Sequence, residues 1–542
     1  MRPERGTWLV LLVIVGVAGA RLLTAPEPAL LAWPGGEVYG HAWVQWWHGL
    51  ALPAWPDTPP LAEVHRWVVM DPLPTALAGA LGRLCGWTFA WNALVIGAIA
   101  LAFAGGAALA RRLQGAPLVG GAVMATAPIF LGSLASGLTE DAALGLVPLS
   151  AAFLLGPSLG AAALGGALLG LTAWCGLYLA WFGALLAVFL GLTELLAAAR
   201  GGGLPRALGR WGLAAAVAIL LAAPALRPHL DRVSGGHRAG AVTEQVEPAW
   251  KVNPWRGADL AAFVAPGQAP LQGDELLRLH PTYLGWIALA LALAGGRSRW
   301  WLVLLGAALM APGQHLRLAG EPLGVENPVA VWAWRVLPFS DLINHHARWM
   351  LLGQVALAVL AARGARSVIH RVIHTRPPDQ NRIGTPGMIE SALPLAIALG
   401  TTVEIATLSP APFPLPLTPA AVDPLWSLVP PGEGALLPVP AGGPGVHFQR
   451  PLYEQRAHGR PLLVNPNRPG PPPGLGPLGA WLAGLGHPGQ PPAPEADLSP
   501  LKRAGVSVIV ARAPTHTRAE EVLGPPWRET PGGAIWLLED PP

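Results

Sequence analysis

Long apolar runs separated by short polar breaks recur over the first ~400 residues of the chain. Runs this long and this poor in charge read as membrane-spanning helices, because crossing the hydrocarbon takes about 20 apolar residues. The pattern predicts eleven segments, at 7–24, 87–110, 117–134, 141–156, 158–173, 175–198, 209–226, 281–296, 299–312, 345–363 and 388–407. Three of them, 158–173, 281–296 and 299–312, are short for a full crossing, which predicts tilted pairs or a re-entrant segment. The first is read as a retained span, although Val17-Ala-Gly-Ala20 also has the small-residue spacing of a signal-peptide cleavage site.

Three long polar segments, 25–86, 227–280 and 313–344, face one side of this arrangement. The tail faces the same side. It opens with a proline-rich linker at 408–430 (Pro410, Pro412, Pro414, Pro416, Pro419) and continues with β-like runs at Ala435–Pro440, Val506–Ala513 and Ala534–Glu539. The expected architecture is an all-α polytopic membrane bundle over 1–407, followed by a small extracytoplasmic α/β domain over 431–542. The sequence shows no internal repeat, which argues against a transporter built from duplicated halves.

Composition agrees. Of 542 residues 52% are hydrophobic and 12% charged, against about 25% charged in soluble proteins. The basic residues are 33 arginines and two lysines, Lys251 and Lys502. With 67 glycines and 60 prolines this usage reads as GC-rich coding rather than chemistry. A pI near 9.5 invites a nucleic-acid partner, but the positions of the arginines argue otherwise. With the N-terminus in the cytoplasm, 14 of them (Arg2, Arg5, Arg111, Arg112, Arg200, Arg206, Arg210, Arg297, Arg299, Arg363, Arg366, Arg371, Arg376, Arg382) mark the inner loops, as the positive-inside rule requires. The expected partner is therefore the lipid bilayer and not nucleic acid. Cys85 and Cys175 lie in apolar surroundings and read as packing residues.

Three polar stretches face outward. In Gly36–Leu50, wound as a helix, Glu37, His41, Gln45 and His48 fall within about 80° of one another, and Tyr39, Trp43, Trp46, Trp47 and Leu50 lie opposite. This predicts an amphipathic interfacial helix with its tryptophans toward lipid or bundle. Its polar face either simply meets water or presents Glu37 as a general base beside His41 and His48. A carboxylate with two histidines is also a metal donor set, but no HExxH pattern accompanies it, so no metal or other cofactor is assigned. Glu140 and Asp141, in Ser136–Ala142, read either as acids at an ordinary helix start behind Thr139 or as catalytic carboxylates. His345, His346 and Arg348 precede the tenth segment, and Arg335 lies on the aromatic run Val331–Arg335. Arginines there suit a phosphate, either a substrate's or that of ordinary lipid.

Taken in order, these stretches resemble the GT-C superfamily of polytopic glycosyltransferases, in its bacterial mannosyltransferase-like and YfhO-like branches. Gly36-Glu37 before Trp43, Trp46 and Trp47 resembles the family's first outer loop. Met70-Asp-Pro-Leu-Pro74 with Trp91-Asn-Ala-Leu94, and His280-Pro-Thr-Tyr-Leu-Gly-Trp286, resemble its approaches to later spans. His345-His-Ala-Arg-Trp-Met350 resembles its arginine-bearing helix, and Tyr453-Glu-Gln-Arg-Ala-His-Gly-Arg-Pro461 a stretch of its C-terminal domains. Glu37 stands where the family most often has aspartate. The resemblance implies an enzyme of the bacterial inner membrane that moves a sugar from a polyprenyl-phosphate carrier to an extracytoplasmic acceptor. Glu37 would be the base, with Glu140 and Asp141 assisting. Arg348, with Arg335, His41, His48, His345 and His346, would serve the lipid phosphate, and Tyr453, Gln455, His458 and Arg460 would serve in the C-terminal domain. A non-catalytic protein of the same fold, and a transporter or flippase, are the alternatives.

Overall fold

The computed structural model describes residues 5–53, 61, 69–234, 257–266, 281–337, 343, 345–374, 385–441, 449–464, 474–486 and 489–538. Arg376 and Arg382, and parts of the outer segments 25–86, 227–280 and 313–344, lie outside them. The chain opens with α1 (Arg5–Gly19), β1 (Ala29–Leu31), α2 (Val38–Ala51), α3 (Pro72–Cys85) and α4 (Trp87–Arg112). There follow α5 (Pro117–Ala125), α6 (Pro128–Ala135), α7 (Leu146–Leu154), α8 (Leu159–Thr172), α9 (Leu177–Gly201) and α10 (Leu204–Ser234). Next come α11 (Trp286–Ala294), α12 (Trp300–Met310), the hairpin β2 (His315–Leu318) and β3 (Glu321–Glu326), α13 (Pro328–Val336), α14 (Trp349–His374) and α15 (Thr385–Leu408). The tail carries β4 (Leu417–Pro419), α16 (Pro424–Ser427), β5 (Ala435–Val439), α17 (Arg450–Glu454), α18 (Gly476–Ala483) and α19 (Ser499–Arg503). It ends with β6 (Val506–Arg512), α20 (Thr515–Leu523), β7 (Arg528–Thr530) and β8 (Gly533–Leu537).

The chain forms two compact units. The first comprises 1–24, 70–74 and 92–416, and the second 25–69, 75–91 and 417–542.

In the first unit a helix stands at each predicted apolar segment, but their lengths differ. Among the described residues six helices are long and apolar enough to cross a membrane: Gly6–Thr24, Trp87–Arg112, Pro117–Ala135, Leu177–Gly201, Leu204–Leu230 and His346–Ile373. Helix α8, α12 and the 392–408 part of α15 are shorter apolar helices, so eleven full-length crossings are not what length alone supports. The 117–135 stretch bends between α5 and α6, where Pro128 lacks an N–H and restrains Ala127 to extended backbone.

The short α11 and α12 have a physical explanation. They form a hairpin along α14, packed so closely that a Cβ on Gly364 would lie 1.7 Å from the Leu291 carbonyl. Arg363 Nη1 donates to Ser298 Oγ at 3.0 Å, holding the hairpin's turn. At the other end Gly353 meets Ala307. The pair thus accompanies α14 from about Gly353 to Gly364, only about 17 Å of helix at 1.5 Å per residue. Glu404 on α15 fastens the start of α11: its Oε1 accepts from Tyr283 Oη at 2.8 Å and from the Trp286 N–H, and its Oε2 from the Ile287 N–H at 2.9 Å. These are the N–H groups a helix start leaves unsatisfied, and a carboxylate suits that positive end. Gly285, at φ +83°, makes the turn that presents them.

The second unit is built on a four-stranded sheet, order β5-β6-β8-β7. β5 and β6 are parallel, while β6–β8 and β7–β8 are antiparallel. A parallel neighbour needs a crossover, and α17, α18 and α19 lie in it. β1 pairs antiparallel with β4, Leu30 opposite Thr418. Helix α2 belongs to this unit. Trp43 and Trp47 are buried in one core with Leu425, Trp426, Leu436 and Leu452, so those two tryptophans face the tail's own core rather than lipid.

Candidate active site

In the first unit a single 3-10 turn, His346–Arg348, leads into α14. The Arg348 N–H donates to the His345 carbonyl at 3.0 Å, and the turn buries the arginine side chain against a second 3-10 turn, Thr139–Asp141. Arg348 Nη2 donates to Glu140 Oε1, and its Nε lies 3.9 Å from Asp141 Oδ2. The guanidinium carbon sits 4.3 Å from the centre of the Tyr178 ring at the start of α9, a cation–π contact. Thr139 Oγ1 donates to Asp71 Oδ2, and both residues are buried. A Cβ on Gly176 would lie 2.3 Å from the Glu140 carbonyl, so α9 abuts the acidic turn.

The reading of Glu140 and Asp141 as acids at an ordinary helix start does not hold. α7 begins at Leu146 with Gly145 as its N-cap and no side-chain cap, and the acids turn to Arg348 instead. Around Arg348, His346 is buried with its ring 5.1 Å from Trp334, and Gly313 closes on the imidazole. Arg335 is exposed on the last turn of α13.

In the second unit Glu37 stands at the start of α2 without capping it. Its Oε2 lies 3.7 Å from His41 Nε2, and the side chains are 32% and 18% exposed, respectively. His48 does not share that open face. It is fully buried, with its ring 4.3 Å from Trp47, and burial lowers it to about 4, so it is neutral at physiological pH. The motif Tyr453–Pro461 ties α2 to the rest of the unit. Gln455 Oε1 accepts from Trp43 Nε1 at 2.6 Å, and Gln455 Nε2 donates to the Arg460 carbonyl at 2.9 Å. Arg460 donates to the carbonyls of Pro430, Pro431 and Gly434 and to Ser507 Oγ. Tyr453 Oη donates to the Ala420 carbonyl. His458 stacks on Trp426, its rings 5.6 Å apart, and burial, with Arg460 beside it, lowers it to about 4.

A pH dependence follows. Unfolded, each of these histidines takes a proton near 6.5; folded, each resists until about 4. Between those values the unfolded chain binds more protons, so stability falls as pH falls and is complete above the window. The melting midpoint of the second unit, followed by tryptophan fluorescence, is expected to drop across it, each histidine contributing on the order of 1–3 kcal/mol. His48→Gln/His458→Gln should flatten the profile, and an unchanged slope would remove the histidines as its cause.

Asp71, Tyr178 and the buried Glu454 are partners that residue patterns did not single out, and Thr139, read only as a helix start, donates to Asp71. Glu454 sits between Arg450, at 3.1 Å, and Arg512. Asp71 stood in the quoted Met70–Pro74 motif, but nothing local marks its partner 68 residues away.

No family profile matches the chain, and no curated protein matches it by sequence. Solved structures do resemble it. The oligosaccharyltransferase of Archaeoglobus fulgidus in its apo form matches over 94% of this chain and 69% of its own, at TM-score 0.50 and 13% identity. ArnT from Cupriavidus metallidurans bound to undecaprenyl phosphate matches over 98% of both chains, at TM-score 0.49 and 14% identity. The arabinofuranosyltransferase AftD from Mycobacteria matches over 94% of this chain and 35% of its own, at TM-score 0.49 and 16% identity. The chain is thus a polytopic membrane protein with a small α/β part. Its fold is like that of the Archaeoglobus fulgidus oligosaccharyltransferase, and at 13% identity the likeness is one of fold.

Proposed function

We propose that this protein is a membrane glycosyltransferase that moves a sugar from a polyprenyl-phosphate carrier to an extracytoplasmic acceptor. The observation that carries the reading is Arg348, buried at the head of a membrane helix between Glu140, Asp141 and Tyr178. A planar guanidinium held rigidly there suits a phosphate, whose oxygens it binds as a fork. In the reaction a base takes the proton of the acceptor hydroxyl, and the acceptor oxygen attacks the anomeric carbon. The bond from that carbon to the carrier's phosphate oxygen breaks, and its electron pair leaves with the phosphate. Arg348 stabilises the charge arriving there. Glu37, the more open carboxylate, is the base, and a single displacement inverts the sugar carbon. The reading puts the N-terminus in the cytoplasm of a bacterial inner membrane and residues 431–542 outside.

The test is release of polyprenyl phosphate from a panel of polyprenyl-phospho-sugars by the purified full chain in phospholipid nanodiscs, with a bacterial envelope extract added as the source of acceptor hydroxyls. Release above that of heat-inactivated protein is expected. If no sugar leaves any donor while the donors still bind, the protein is a non-catalytic binder of the same fold.

A further inference from the structure

We infer that α13 is a membrane-docking helix, lying in the phospholipid leaflet on the Arg348 side of the first unit. The inference neither uses nor requires the transferase reading. On α12, Leu302, Leu305 and Leu309 are exposed at the i, i+3, i+7 spacing that makes one helical stripe. In an apolar helix of a membrane protein such a stripe faces lipid. Asn327 then joins α12 to α13. Its Nδ2 donates to the Leu309 carbonyl at 2.7 Å, while its Oδ1 caps α13 by accepting from the Val329 and Ala330 N–H groups.

Helix α13 repeats the pattern. Ala330 and Ala333 are buried, whereas Val329, Trp332 and Val336 are exposed at the same i, i+3, i+7 spacing, Trp332 by 62%. An exposed apolar stripe on α12 is thus followed by a like stripe on α13, the two helices joined at the hydrogen-bonded corner of Asn327. The depth is right for the membrane surface, because α12 ends beside the head of α14: Gly313 touches His346. Trp286, exposed at the start of α11, belongs to the same aromatic level, where indole rings favour the headgroup boundary. Arg335, one residue from Val336 and exposed, lets its guanidinium reach headgroup phosphates while its stem stays with the acyl region. The continuity with α12 commits the occupant to bulk phospholipid rather than to a protein.

The order of exposure supplies a test on the unmodified chain. In the protein alone Trp332 is more exposed than Trp527 of the second unit, 62% against 42%. Hydroxyl-radical footprinting with mass spectrometry, at one chain per nanodisc of phosphatidylethanolamine and phosphatidylglycerol, is expected to reverse that order. Trp332 should oxidise more slowly than Trp527, by about threefold or more if its ring is immersed. A Trp332 rate equal to or above that of Trp527 overturns the inference.

Discussion

Arg348→Ala is expected to lower sugar transfer by about 10²–10³-fold, the size of effect seen when a group that stabilises departing charge is lost. Loss of transfer alone does not separate chemistry from folding, because the alanine leaves Glu140 and Asp141 buried without their cation. Breaking a buried pair costs about 3–5 kcal/mol, so thermal stability should fall as well. The Arg348→Ala/Glu140→Gln double variant parts the two effects. It removes one of the two stranded carboxylates, and stability should return in part while transfer stays low. Arg348→Lys keeps the charge but loses the fork, and should fold normally with weakened transfer. If the double variant both folds and transfers at the wild-type rate, Arg348 does not serve the carrier phosphate.

Glu37→Gln should lower kcat by about 10²–10⁴-fold, the range for a lost general base, with little change in the KM for the donor. The glutamine keeps the shape of the side chain. Since Glu37 makes no cap to α2 and is one-third exposed, the fold should be indifferent to the change. The acid limb of the pH–rate profile, which reports deprotonation of the base, should vanish with it. Glu37→Asp should retain part of the rate, because the proton acceptor survives on a shorter arm. A Glu37→Gln protein with an unaltered profile would move the base to another carboxylate, with Glu140 next to be tested.

What the sequence disclosed follows the range over which its signals act. The apolar helices at the eleven segments were visible in local periodicity, and so were the short lengths of those that became α11 and α12; α13 was not, lying in a stretch read as an outer loop. Their arrangement was not. The α11–α12 turn depends on Ser298 meeting Arg363, 65 residues away. The helical wheel of α2 correctly set its tryptophans on one side, but an apolar face does not say what will cover it. The cover comes from the tail, with Trp43 donating to a glutamine 412 residues on. The same gap explains His48, which shares an angle with Glu37 yet is closed in while Glu37 is not. At the candidate site the residue types were legible: acids at 140 and 141, arginine at 348. Their pairing across 208 residues was not, and the local sequence favoured a helix start as the account of the acids.

Glu404 bears on how the protein is made. Translation delivers α11 and α12 well before α15, and the carboxylate that satisfies the first N–H groups of α11 lies 118 residues downstream. Until that last helix enters the bilayer, the hairpin has its arginine pin to α14 but an open end at Trp286. The hairpin is therefore held at both ends only after α15 has followed it into place, because the first N–H groups of α11 find their acceptor on that later helix.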